Sequence, residues 1–527
     1  MYLGIPYAQP PVDSLRFQPP VKYNGTTTIN RTAVQRQGES GVNQSEDCLT
    51  LNVWTQPQTG QPSKAVMVWV HGGGYITGGS SVPWYNGQYL SGKEDVVVVS
   101  FNYRLSIFGF PGNPLSRPNL GLLDQRLAIE WVRNNIAQFG GDPNRITLFG
   151  QSAGAAAVDL YSYAWTADPI VQAFIPMSGT ATGFGLPTNL TANTNWFNAT
   201  AATGCGGAQD DHKKVYECML SKMGEEIAAS VPPNTVANSS TGLPFGPVID
   251  EQLVFSNYVD RTPIAAPVLI VNTHNESGLF RMMAPLVSGA VWSAVNDAAF
   301  TCPAAMRAAE SARHGNPTWR YRYFGLFPNL VLSTKPETGA WHTSEVPVLF
   351  NNTPTSGLPD TPEEEAIGAY MRGAWAAFAK DPYNGLSSYG WPKYSAQQST
   401  LIRLAYRNQT GPNLGVGEEF DGKCRAFSAA DGSATASSTS ATRDPSSLST
   451  SPVPEVALTS TSVVYTTPSA PAIATSSAAS NYASRPRPCL DMTFVLTGLV
   501  LLLVLCMNLI QGAFFLVLLR FLWLRSV

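Results

Sequence analysis

The sequence predicts an α/β domain, doubly wound, with a central, mostly parallel twisted sheet flanked by helices. Three observations lead there. "AVMVWV" (65–70), "VVVVSF" (96–101) and "APVLIVNT" (266–273) are near-continuous apolar runs rich in β-branched residues, the pattern of strands covered on both faces. Between them, "LLDQRLAIEWVRNNIAQF" (122–139) sets Leu123, Leu127 and Trp131 four apart, which makes one face of a helix. "RITLFG" (145–150) is a further strand, and it runs straight into a stretch of small residues suited to a closely packed helix. Strands alternating with helices give a parallel sheet.

The 527 residues are 44% hydrophobic and 10% aromatic, enough apolar material for a large core. Lys and Arg number 33 against 36 Asp and Glu, a net charge of −3, and no dense basic run occurs. That excludes an electrostatic nucleic-acid binder, so no nucleic-acid partner is expected. Seven cysteines show no C-x-x-C spacing and no neighbouring histidine cluster. No metal site is expected from them; a disulfide reading with one left over fits. Nine Asn-x-Ser/Thr sequons, at Asn24, Asn30, Asn43, Asn189, Asn198, Asn238, Asn275, Asn351 and Asn408, point to the secretory pathway.

Three segments follow from composition. Residues 1–425 carry the strand and helix patterns. Residues 426–488 hold 25 Ser or Thr in 63 positions, with Ala and Pro between them, the composition of an extended stalk. In 489–527 lies "TFVLTGLVLLLVLCMNLIQGAFFLVLL" (493–519), 27 residues without a charge. As a helix these span roughly 40 Å, enough to cross a bilayer with tilt. A membrane segment with an extracellular domain is therefore expected. Arg485 and Arg487 precede it and Arg520 and Arg525 follow, so the charges set no orientation. A removable lipid-anchor signal is the alternative, and the two trailing arginines count against it. The opening "MYLGIPYAQPPVDSLRF" has no basic stretch followed by an apolar run, so no export signal is visible, and an N-terminally incomplete chain is the expectation.

The chemistry centres on "LFGQSAGAA" (148–156). A lone G-x-S-x-G is weak, but here it joins a strand to a small-residue helix, where a sharp turn lifts the Ser152 hydroxyl clear of the sheet. A serine nucleophile needs donors for the oxyanion it creates. "VWVHGGGYITGG" (68–79) ends a strand with three consecutive glycines; no G-K-[ST] follows, which argues against a phosphate cradle. Gly73, Gly74 and the N–H of Ala153 are the expected donors. Five histidines compete as base. His71 opens the glycine loop and reads as structural, His212 lies in the charged "DDHKK", and His314 ends a helix in "ARHGNP". His274 precedes a carboxylate. His342, in "ETGAWHTSEVPVLF", lies where the last member of a Ser, acid, His order belongs. Glu276, in "VNTHNESGLF", directly follows a buried strand and is the expected acid. Asp250, in "PVIDEQL", stays open as its rival, and Glu345 takes a supporting position.

With those segments in place, the chain resembles the type-B carboxylesterases, the cholinesterase-like branch of the α/β-hydrolases. The resemblance runs from residue 2 to about 425 and rests on "YLGIPYAQPP", "SEDCLTLNVW", "VHGGG", "GLLDQRLAIEWVRNNIAQFGGDPNRITLFGQSAGA" and the segments around Glu276 and His342. It implies an α/β-hydrolase fold and carboxylester hydrolysis without a cofactor, the substrate a small-molecule ester. Ser152 would be the nucleophile, His342 the base and then acid, and Glu276 its orienting carboxylate. It also implies disulfides Cys205–Cys218 and Cys302–Cys424, leaving Cys48 free.

The chain departs from the family in three ways. The family usually begins some tens of residues earlier. The loop before Cys48, "RTAVQRQGESGVNQSED", is short, which argues against a lidded lipase and against a choline-binding tryptophan there. Gln151 stands where most relatives carry glutamate, which implies a weaker preference for cationic substrates. The competing reading is a non-catalytic surface adhesion protein on the same fold. It is disfavoured because the serine, the acid, the histidine and the oxyanion glycines are all present.

Overall fold

The computed structural model describes residues 1–25, 45–57, 63–231, 245–283, 287–353 and 358–424. The stalk and the apolar segment expected in 426–527 lie outside these residues, as does most of the short loop before Cys48. Among the described residues no helix is long and apolar enough to cross a membrane.

Among the described residues nine strands form one sheet: β1 (Tyr2–Pro6), β2 (Thr50–Trp54), β3 (Lys64–Val70), β4 (Val97–Phe101), β5 (Gly141–Gln151), β6 (Ala173–Met177), β7 (Val268–Thr273), β8 (Thr318–Tyr323) and β9 (Ile402–Leu404). Their order is β1-β2-β4-β3-β5-β6-β7-β8-β9. From β4 to β9 every pairing is parallel; β1 with β2 and β2 with β4 are antiparallel. The sheet is therefore mixed at one end and parallel through its centre. That is why the central strands read as unbroken apolar runs, being covered on both faces.

The covering follows the two-residue period of a strand. Val66, Val68 and Val70 of β3 point into the core on one face, while Ala65, Met67 and Trp69 point into the core on the other. The strand buries all seven of its residues. Each large side chain so buried contributes about 1.5–3 kcal/mol. The helix Ala153–Ala164 lies against β5 and β6, and its first eleven residues are all buried. A run of alanine and glycine at its start lets the helix backbone approach the sheet closely.

The helix expected over 122–139 is shorter than its pattern. It spans Leu120–Asn135, and Ile136–Phe139 tightens into a 3₁₀ turn that ends at Gly140 with φ +81°. Asn134 and Asn135 are poor helix interior residues, and Gly140 takes the left-handed conformation that closes the turn into β5. Within this helix Asp124 is fully buried. It accepts hydrogen bonds from the Arg104 backbone N–H at 3.0 Å, from Nε at 2.8 Å and from Nη2 at 2.7 Å, which joins the helix to the loop after β4.

Among the described residues two disulfides are present, Cys205–Cys218 across 13 residues and Cys302–Cys424 across 122. The second ties the last described segment back to the helix Cys302–Arg313. Cys48 is free and buried, and burial pushes its thiol up to about 12, so it stays a thiol at neutral pH.

Candidate active site

The turn after β5 carries Ser152 between the last strand residue, Gln151, and the first helical residue, Ala153. Its backbone sits at φ 60°, ψ −126°, a conformation a residue with a Cβ adopts only under strain. The surroundings require it. A Cβ on Gly150 would lie 2.7 Å from the Val70 carbonyl oxygen, and one on Gly154 would lie 2.1 Å from the same atom. Only glycines let the strand, the turn and the helix pass so close to β3. The Ser152 N–H donates to the Met177 carbonyl at 2.8 Å, which seats the turn on the end of β6.

The glycine loop packs directly on this turn. A Cβ on Gly72 would meet the Gln151 carbonyl at 2.6 Å and Ser152 Cβ at 3.0 Å. Gly73 and Gly74 adopt φ +106° and +63°. The Gly73 carbonyl accepts from Ile76 and Thr77, both at 3.0 Å, so the loop curls back on itself. Among the described residues, no turn, loop or cap hydrogen bond uses the N–H groups of Gly73, Gly74 or Ala153. His71, at the head of the loop, is buried and stacks on Tyr103 with ring centroids 4.5 Å apart. Burial lowers it to about 4, so it is neutral and has the structural place expected of it.

Glu276 follows β7 and is fully buried. Its Oε2 lies 2.6 Å from His342 Nδ1. Its Oε1 accepts from Ser178 Oγ at 2.7 Å and from the Thr273 N–H at 2.6 Å. A carboxylate held by three donors is fixed in orientation. His342 is equally buried, against Phe280 and Phe300, whose ring centroids lie 5.0 and 4.9 Å from the imidazole. Trp341 anchors its loop by donating from Nε1 to the Leu330 carbonyl at 2.7 Å.

With Nδ1–H donating to Glu276, the lone pair of His342 lies on Nε2. That nitrogen faces Gln151 Nε2 at 3.1 Å, so the Gln151 amide is the donor. Among the described residues no hydrogen bond joins Ser152 Oγ to the imidazole. Ser152 reaches the pair through its neighbours: Gln151 on one side, and on the other Ser178, the residue after its hydrogen-bond partner Met177. Two of these contacts were not visible in sequence. Ser178 lies in no motif, and Gln151 meets a histidine 191 residues away.

The remaining candidates have other places. Asp250 accepts from Asn119 Nδ2 at 2.9 Å and from the N–H groups of Gln252, Leu253 and Val254 at 2.8–2.9 Å, which makes it the centre of a turn. Glu345 begins the helix Glu345–Phe350 and is fully buried, with neither carboxyl oxygen hydrogen-bonded among the described residues. Burial first, and the charge of Glu276 second, push its carboxyl well above the usual range, so it stands protonated behind the Glu276–His342 pair. His274 receives Arg322 Nε at 3.2 Å, His212 begins a surface helix and lies against Phe197, and His314 caps a helix end.

A strained serine at a strand–helix turn, with a glycine loop on one side and a buried carboxylate–imidazole pair beyond, defines a hydrolase of the serine type on a mixed α/β sheet. The chain belongs to the carboxylesterase family, whose model matches residues 1–288 and 287–418. It is 35% identical to Secreted lipase 5 of Gibberella zeae over 479 residues, 77% of this chain and 86% of that protein. It is 32% identical to a chlorogenic acid esterase of Aspergillus niger over 464 residues, covering 80% and 89%. Mouse cholinesterase matches at 38% over a shorter 271 residues, 47% of this chain and 44% of that one. The chain is a serine carboxylester hydrolase.

Proposed function

We propose that Ser152, His342 and Glu276 act together in a two-step hydrolysis of uncharged carboxylic esters. Ser152 Oγ attacks the ester carbonyl carbon as His342 Nε2 takes its proton, and Glu276 holds the imidazole and balances the charge it gains. The oxyanion that forms is met by the N–H groups of Gly73, Gly74 and Ala153. The intermediate collapses, the C–O bond to the alcohol breaks, and His342 returns its proton to the leaving oxygen. Water then attacks the acyl-serine with His342 again as base, releasing the acid and restoring Ser152. The observation that carries this reading is the buried Glu276–His342 contact at 2.6 Å, with Nε2 turned toward the residue beside Ser152.

Before the first step Nε2 must exchange the Gln151 amide for the Ser152 hydroxyl. Gln151 is neutral and faces Nε2 at 3.1 Å, so this part of the site carries no fixed negative charge to attract a cationic alcohol. The rings of Phe280 and Phe300 against the base favour an apolar portion of the substrate. The name of the Gibberella zeae relative, a lipase, agrees with uncharged esters.

Two disulfides and the name of the secreted Gibberella zeae relative support a site of action outside the cell. The uncharged run at 493–519 supports a membrane tether for it. The catalytic reading is tested with a short-chain nitrophenyl ester. Ser152→Ala should lower kcat by about 10⁴–10⁶-fold. A folded Ser152→Ala protein of unchanged activity would remove Ser152 from the mechanism.

A further inference from the structure

Six of the nine sequon asparagines lie within the described residues; Asn24 is exposed and Asn351 half-buried, and the other four use their side-chain amides very differently. Asn275 donates from Nδ2 to the Thr338 carbonyl at 2.9 Å and accepts from Ser277 Oγ at 3.3 Å. Its own N–H donates to the Ala340 carbonyl at 3.0 Å. A Cβ on Gly278 or Gly339 would come within 3.0 and 3.2 Å of Nδ2, so two glycine backbones close over the amide. The middle residue of this sequon is Glu276 itself. The Asn275 side chain therefore clasps the loop carrying the acid to the loop carrying the base, with no room for a sugar. Asn408 is engaged at both ends: Nδ2 donates to the Leu326 carbonyl at 2.7 Å, and Oδ1 accepts from the Leu326 N–H at 3.0 Å.

Asn189 and Asn198 differ from both. They lie on one helix, Asn189–Ala202, whose inner face buries Ala192, Trp196, Phe197 and Ala199. Both asparagines are exposed, and among the described residues neither amide is hydrogen-bonded through its side chain. The disulfide Cys205–Cys218 fixes the chain just after this helix. A sugar attached here projects into solvent and disturbs no contact.

We propose that the helix Asn189–Ala202 is a glycan-bearing surface of the enzyme, modified at Asn189 and Asn198, and that Asn275 and Asn408 stay unmodified in the folded enzyme because their amides hold it together. The co-reactant is a lipid-diphosphate-linked oligosaccharide. A bond forms from the asparagine Nδ2 to the sugar C1, and the C1–O bond to the diphosphate breaks. The amide gives up one proton, and the lipid diphosphate leaves with the electron pair. The proposal rests on the reading that the chain passes through the secretory pathway.

The test expresses the full chain behind a host export signal in a eukaryotic cell, with the esterase-active fraction purified from membranes and medium. Enzymatic removal of N-glycans in heavy-oxygen water converts each glycosylated asparagine to a labelled aspartate, which peptide mass spectrometry locates. Label is expected at Asn189 and Asn198, with Asn275 and Asn408 unlabelled. Asn189→Gln and Asn198→Gln should each remove one glycan from the intact mass and leave kcat/KM unchanged. Ser277→Ala destroys the Asn275 sequon but keeps the Nδ2 bond to Thr338, so it should leave the glycan mass unchanged. Label at Asn275 or Asn408, a mass loss in Ser277→Ala, or two bare helix sites beside sugar elsewhere overturns the assignment while leaving the secretory reading intact. An active protein with neither disulfides nor any glycan overturns both.

Discussion

Replacing Gln151 by glutamate tests whether the residue beside Ser152 sets substrate charge preference. The amide sits 3.1 Å from His342 Nε2 and is almost wholly buried. A carboxylate there keeps the shape and adds one negative charge. A quaternary ammonium group in the alcohol part of an ester would lie on the order of 6 Å away. At that distance, with an effective dielectric of about 20, the attraction is roughly 3 kcal/mol, falling to about 1 kcal/mol if water fills the pocket. These values bracket the change in kcat/KM ratio between roughly fivefold and a hundredfold.

The assay compares a choline ester with its uncharged carbon isostere, the 3,3-dimethylbutyl ester of the same acid, on both proteins at pH 8. The ratio of kcat/KM for the cationic over the neutral ester should rise in Gln151→Glu by a factor within that bracket. The acid limb of the kcat/KM profile should also move to higher pH, since an acceptor replaces the donor facing Nε2. A ratio unchanged within twofold would refute the reasoning, because it would mean that position 151 does not sense the alcohol's charge.

Ser178→Ala removes one donor from Glu276 and leaves the Thr273 N–H; it should lower kcat by roughly tenfold with little change in KM, the scale of one hydrogen bond to a charged group. Glu276→Gln should cost about 10²–10⁴-fold in kcat, because an amide can hold the wrong imidazole tautomer. Glu345 is protonated in the fold and ionised in the unfolded chain above the usual carboxylate range, so the native state binds the extra proton. Stability therefore falls as pH rises from that range toward the raised native value, by about 1.4 kcal/mol per pH unit for one group. Glu345→Gln removes this slope, and its Tm relative to the parent should be higher at pH 8 than at pH 5. An unchanged Tm difference between the two pH values would count against it. Breaking Cys302–Cys424 by double alanine substitution should cost about 4–5 kcal/mol and breaking Cys205–Cys218 about 3, because the first closes the longer loop; denaturant melts read the difference.

The parallel centre of the sheet was legible because its strands are buried on both faces and show it in composition: after Lys64, β3 is six apolar residues in a row. The antiparallel end was not, since β1 and β2 are five residues each and carry no comparable run. β9 is only three residues. The turn at Ser152 was readable because the strand, the G-x-S-x-G and the small-residue helix follow one another in sequence, although the close contact its glycines allow is with Val70 on the neighbouring strand. Residues alone left the acid open between Glu276 and Asp250, since both follow apolar stretches. The difference lies in partners: Asp250 binds three N–H groups of its own turn, while Glu276 meets His342 66 residues away. Ser178 and the Gln151–His342 contact arise only from the order of strands around β5 and β6, which no short motif records.

The most direct test of the proposed mechanism is covalent. A nitrophenyl phosphonate ester mimics the tetrahedral intermediate and stays on the atom that attacks it. Incubated with the active enzyme and followed by peptide mass spectrometry, it should add one phosphonyl group per molecule, on Ser152. The reaction should slow by orders of magnitude in His342→Gln and vanish in Ser152→Ala. An adduct on another residue, or full ester hydrolysis by a protein that takes up no phosphonyl group, would contradict the assignment of Ser152 as nucleophile.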